Sequence, residues 1–127
     1  MTKVDEVYKC EICGNVTAVE EAADGVLVCC GQDMKLQETK TAEQEGKEKH
    51  VPVLEVDGNK VTVKVGSIEH PMEEEHFIEF IQVLQNGRVV FQKRLKPGEK
   101  PEAEFVLANT EDLTAKEYCN KHGLWTN

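Results

Sequence analysis

No apolar run in this 127-residue chain approaches the ~20 residues that a bilayer-spanning helix requires, which excludes a transmembrane helix. The opening stretch, MTKVDEVYKC, lacks the apolar segment of a secretory leader and is charged at Lys3, Asp5, Glu6 and Lys9. The expectation is therefore a cytoplasmic chain with no export signal. Positive charge is scarce: 15 Lys and Arg stand against 24 Asp and Glu, a formal net charge of -9. That balance argues against nucleic acid and against an anionic membrane surface as partners. Helical periodicity, internal repeats and low-complexity tracts are also missing. So is an even cysteine count, and five Cys in a chain of this kind argue against a disulfide framework.

What is present is a division by ligand type. Cys10, Cys13, Cys29 and Cys30 lie at the front, whereas His50, His70, His76, Cys119 and His122 lie behind them. Soft donors first and imidazoles later imply two different metal sites. Residues 1–37 read as a small unit. Cys10-Glu11-Ile12-Cys13-Gly14-Asn15 is a knuckle with turn residues, and Asp24-Gly25 is a turn before Val26-Leu27-Val28. So short a unit, with few apolar residues, needs a staple such as a metal. The next stretch, to about residue 49, is polar and charged and reads as a linker or long surface loop.

From His50 the pattern is β. Val51 to Val56 leads into the Asp57-Gly58-Asn59 turn, and Val61, Val63 and Val65 repeat with period 2, which predicts a hairpin. His76 to Leu84 is a long apolar strand, and Asn86-Gly87 turns it into Arg88 to Leu95. Further strands are expected over Ala103 to Ala108 and Thr114 to Cys119. The fold class is mainly β: a small metal-knuckle domain at 1–37, then an immunoglobulin-like antiparallel β-sandwich at 38–127.

Four thiolates make a closed tetrahedral site for zinc or iron, and the donor set alone does not decide between them. Such a site holds the fold or carries an electron; it has no position for substrate. Adjacent Cys29 and Cys30 are unusual, because neighbouring side chains diverge along an extended backbone. At the second site, Cys119 and His122 share a metal only if the chain turns there, which Gly123 allows. Four imidazoles and one thiolate would leave one octahedral position open on iron, as a catalytic metal needs. Blue copper also uses a sandwich and a late Cys near a His. However, it wants a Met after the last His, and the internal methionines are only Met34 and Met72.

The motifs Cys10-x2-Cys13 with Cys29-Cys30, Glu48-Lys49-His50-Val51-Pro52, His70-Pro71-Met72, Glu75-His76 and Cys119-Asn120-x-His122-Gly123-Leu124-Trp125 occur together. In this combination the chain resembles desulfoferrodoxin, the two-iron class of superoxide reductase, over nearly its whole length. The resemblance implies two iron ions. One is held by Cys10, Cys13, Cys29 and Cys30 in a desulforedoxin-like domain. The other sits in a square pyramid, with His50, His70, His76 and His122 equatorial and Cys119 axial. It also implies that Glu48 and Lys49 lie on a mobile loop over the open position. The implied activity is reduction of superoxide to hydrogen peroxide, with rubredoxin or a similar small donor re-reducing the iron in a cytoplasmic homodimer. Two rival readings come from other classes: a non-catalytic two-iron electron carrier, and a zinc-stapled sandwich used as an interaction module.

Overall fold

A computed structural model describes residues 1–45, 49–67 and 70–127. The chain forms two compact units, Met1–Glu38 and Thr39–Asn127. The first holds strands β1 (Val7–Lys9), β2 (Val16–Ala18), β3 (Val28–Cys29), β4 (Gln32–Asp33) and β5 (Lys35–Leu36). They make a three-stranded sheet in the order β2-β1-β5 and a separate β3-β4 pair. Little of this unit is buried beyond Val7, Cys10 and Val19. A core of that size offers little stabilisation at ~25 cal/mol per Å² of buried apolar area.

The second unit continues with β6 (Thr39–Lys40), β7 (Pro52–Asp57), β8 (Lys60–Val65), β9 (Ile78–Gln85), β10 (Arg88–Arg94), β11 (Glu102–Val106), β12 (Leu113–Cys119) and β13 (Gly123–Thr126). One sheet runs β10-β9-β12-β13-β6 and the other β11-β8-β7. Their inward residues form one core: Val61, Val63 and Val65 from β8, Ile78, Ile81 and Val83 from β9, and Ala115 and Cys119 from β12. This is the expected nearly all-β sandwich. The period-2 valines of β8 occupy its inward positions, as alternation on a half-buried strand requires.

Two features differ from the sequence reading. The polar stretch after residue 38 is not wholly a loop. Thr39 and Lys40 pair with Leu124 and Trp125 of β13, in parallel, and Ala42–Gln44 forms a 3-10 turn. In addition, β9 carries an extra residue opposite β12. The register passes from Tyr118↔Phe80 to Cys119↔Ile78. This bulge returns Ile78 to the inward face, opposite the buried Cys119 at the end of its strand.

Candidate metal centres

The first cluster is built from two turns. After β1, Cys10 N–H donates to Asn15 O at 2.8 Å, and Gly14, at φ +84°, donates to Cys10 O at 2.9 Å. The Cys13 N–H lies 3.5 Å from Cys10 Sγ. This contact first, with smaller hydrogen bonds from the Ile12 backbone and the Cys13 and Cys29 thiols, lowers the Cys10 thiol to about 6 against the opposing effect of desolvation. The second turn explains the adjacent cysteines. Cys29 pairs with Gln32, and between them Cys30 and Gly31 both have positive φ, at 53° and 77°. That is the conformation of a two-residue hairpin turn of type I′. Left-handed backbone at Cys30 removes the divergence expected of an extended chain, so Cys29 Sγ and Cys30 Sγ stand 3.9 Å apart. Cys13 Sγ and Cys29 Sγ stand 3.5 Å apart. Four sulfurs at ~2.3 Å from a tetrahedral ion would be ~3.8 Å apart, so the spacing fits such an ion. Hydrogen bonds with the sulfurs of Cys13, Cys29 and Cys10, in that order, push Cys30 up to about 12.

The second cluster joins four segments of the sandwich unit. His50 precedes β7, His70 and His76 lie between β8 and β9, Cys119 ends β12, and His122 closes the turn into β13. Their donor atoms all lie within 4.8 Å of one another. The four imidazoles close a cycle, with centroid distances of 4.7 Å for His50–His70, 4.9 Å for His70–His76, 5.1 Å for His76–His122 and 4.7 Å for His122–His50. Each neighbouring pair is edge-on. His50 Nε2 is 3.0 Å from His122 Nδ1. Two nitrogens ~2.1 Å from one ion and at right angles to each other would show about that separation. Cys119 is rooted in the hydrophobic core, whereas His122 is exposed, so the cluster reaches from the core to solvent.

Local bonds set these side chains. The three-residue turn Asn120-Lys121-His122 ends on Gly123 at φ +85°, and it lets Cys119 and His122 converge as the sequence required. Asn120 ties this turn to the His76 segment. Its Oδ1 accepts from Phe77 N–H at 3.0 Å and its Nδ2 donates to Glu75 O at 3.0 Å. His70 Nδ1 donates to Pro71 O at 2.7 Å. A carbonyl only accepts, so this bond assigns the proton to Nδ1 and turns Nε2 into the ligating nitrogen. Glu45 Oε2 accepts from His50 N–H at 2.8 Å and Val51 N–H at 2.9 Å. The ring of Trp125 stacks on His50 at 4.8 Å and 13°.

Every cysteine and histidine singled out in the sequence falls in one of these two clusters. Lys49, adjoining His50 in the chain, is half-buried, its carbonyl packed so closely on Gly66 that no side chain fits there. Glu48 lies outside the described residues. Sequence reasoning quoted Asn120 and Trp125 only as motif residues, without a role, and missed Glu45 and Glu117. Glu117 points into the sandwich two residues before Cys119, fully buried, and neither carboxylate oxygen has a hydrogen-bond partner among the described residues. Burial pushes its pKa well up, which favours a neutral carboxyl.

Family models match both units: the desulfoferrodoxin model over residues 42–127 and the desulfoferrodoxin N-terminal domain model over residues 2–37. The chain belongs to the desulfoferrodoxin family. It is 58% identical over 125 residues to a desulfoferrodoxin homolog of Archaeoglobus fulgidus, covering 98% of each chain. It is 51% identical to the desulfoferrodoxin of Syntrophotalea carbinolica, over 95% of this chain and 94% of that one. Among solved structures, the superoxide reductase of Treponema pallidum superposes with a TM-score of 0.75 at 30% identity, covering 96% of both chains. For a desulfoferrodoxin, the four-thiol cluster and the cluster of four imidazoles with one thiol are consistent with two iron sites.

Proposed function

We propose that this chain is a superoxide reductase, taking superoxide to hydrogen peroxide at the histidine–cysteine centre. The observation that carries the reading is the closed cycle of four imidazoles with one core thiolate, in a chain that aligns along almost its full length with a superoxide reductase. The imidazoles of His50, His70, His76 and His122 and the Cys119 thiolate would hold the ion. Cys10, Cys13, Cys29 and Cys30 would hold the other. Iron supplies one electron per turnover, which together with two protons converts superoxide to hydrogen peroxide. Five protein donors leave one position of a six-coordinate ion for an outside ligand.

The chain's own residues supply the rest. Lys49, next to His50, brings positive charge to a protein of net charge -9 and so draws a small anion inward. Glu48, two residues before His50, is proposed as the carboxylate that would ligate the oxidised iron where the five other donors leave room. Rubredoxin or a similar small carrier is the proposed electron donor. The protein is proposed to work as a cytoplasmic homodimer, with residues 1–37 as the rubredoxin-type iron domain and 38–127 as the catalytic domain.

The test is pulse radiolysis of the iron-loaded protein. One peroxide per superoxide, with no dioxygen released, is the expected stoichiometry. Azide or cyanide should perturb the ferric spectrum of the histidine–cysteine centre. A centre that ignores both anions and superoxide would instead be that of an electron carrier.

A further inference from the structure

The stretch that reads in sequence as a linker delivers a cation to the second cluster. Lys40 lies opposite Trp125 in the parallel register of β6 and β13. Directly paired residues on neighbouring strands present their side chains to one another. The Lys40 ammonium lies over the Trp125 ring, 5.4 Å from its centroid. It also donates to the backbone carbonyl of His122 at 2.9 Å. Trp125 Nε1 donates to that same carbonyl at 3.1 Å, while the Trp125 ring stacks on His50. Two of the four imidazole residues are thus gripped from behind by one lysine and one tryptophan. Trp125 is buried and Lys40 half-buried, while the Lys40–His122 bond itself faces solvent, so the charge is held in place by its partners but partly screened. A Cβ on Gly123 would lie 3.9 Å from Lys40 Nζ, so the turn that aims His122 runs right beside the cation.

We propose that Lys40 is a positioning residue for the histidine–cysteine centre: its ammonium group, clamped on Trp125 and the His122 carbonyl, fixes His50 and His122 and holds a positive charge behind them that favours the reduced metal. Reduction lowers the charge of the centre by one, and a fixed neighbouring cation stabilises whichever state is less positive. Such a charge keeps more of the centre ferrous, which is the form that consumes superoxide. This inference rests on the reading of the cluster as a redox iron site.

The experiment uses the full-length, iron-loaded protein and the variants Lys40→Met, Lys40→Gln and Lys40→Arg. Iron content is measured first, then the reduction potential of the histidine–cysteine centre by spectroelectrochemistry. Lys40→Met and Lys40→Gln should shift the potential downward. The ferrous-to-ferric ratio at fixed poise should fall by about threefold to tenfold. Lys40→Arg, which keeps charge and donor, should stay near the parent value. Fluorescence of Trp125, the sole tryptophan, should change in Lys40→Met and much less in Lys40→Arg, with or without metal. An unmoved potential in iron-replete Lys40→Met would overturn the proposal. So would Lys40→Arg falling as far as Lys40→Met. Absence of iron from the second cluster of the parent protein is a different failure, that of the functional reading itself.

Discussion

The cysteines show how far chemistry at a single residue depends on one backbone angle. From the sequence, adjacent Cys29 and Cys30 promised a distorted site; the left-handed φ of Cys30 instead turns both thiols to one side. The donors themselves were all legible, because cysteine and histidine in these spacings have few other uses. Asn120 was not, since its amide acts on backbone groups more than 40 residues distant in sequence. Glu117 was hidden for the opposite reason: a glutamate is assigned to the surface unless paired, and this one is buried. Asn120→Ala removes two hydrogen bonds and should cost about 1–2 kcal/mol of stability. The expected readouts are a lower Tm and faster loss of iron from the histidine–cysteine centre, and an unchanged Tm would refute the clip. The thiols carry a second prediction. With Cys10 lowered to about 6 and Cys30 raised to about 12, an ion entering the first site must displace protons. Affinity should therefore rise with pH, by at least about tenfold per unit between roughly pH 6 and 8. Chelator competition measures it, and a flat profile would contradict it.

At the scale of elements, the long strands of the sandwich were readable and the short ones were not. β8 declares itself through Val61, Val63 and Val65, and β9 and β10 through their apolar content and the Asn86-Gly87 turn. In the first unit, short β2 and β3 were readable from Val16 to Glu20 and from Val26-Leu27-Val28, whereas β4 and β5 there, and β6 and β13 of the sandwich, carry too few alternations to register, and only their partners make them strands. The bulge in β9 is likewise invisible until β12 lies beside it. Gly66, just after β8, is one contact where an element meets the site. A Cβ there would collide with the Lys49 carbonyl, which is backbone and yields poorly. Gly66→Ala should therefore cost about 1–3 kcal/mol and displace Lys49. The denaturation midpoint and the superoxide rate constant should fall together, and a variant with both values intact would remove Gly66 from the account.

For the whole molecule, a charge of -9 repels an anionic substrate, and only a local reversal permits fast encounter. Lys49→Ala removes one positive charge, worth on the order of 1 kcal/mol in a medium close to water, or a roughly fivefold to tenfold slower bimolecular rate. Lys49→Arg should keep most of it. Added salt should slow the parent protein and slow Lys49→Ala less, or even speed it. Equal rates and parallel slopes across an ionic-strength series would leave Lys49 without this role. The division into two units carries another expectation. Cys13→Ser should abolish the colour of the first iron, while the reaction of the second with superoxide stays within about twofold. A collapse of that rate in the folded variant would tie the two centres together.

The four segments that carry His50, His70, His76 and the Cys119–His122 pair span most of the sandwich, from just before β7 to the turn before β13. Those donors are strangers in the unfolded chain and meet only once both sheets have packed, with Cys119 already sealed in the core. Packing of the two sheets is therefore what assembles this donor set, and His122 is the donor of the five that is exposed to solvent. The first unit has the reverse dependence. With so little buried besides Val7, Cys10 and Val19, an ion bound at its four thiols would supply much of its stability. One polypeptide thus makes two opposite demands on metal: at one end an ion would hold the fold together, and at the other the fold brings the ion's donors together.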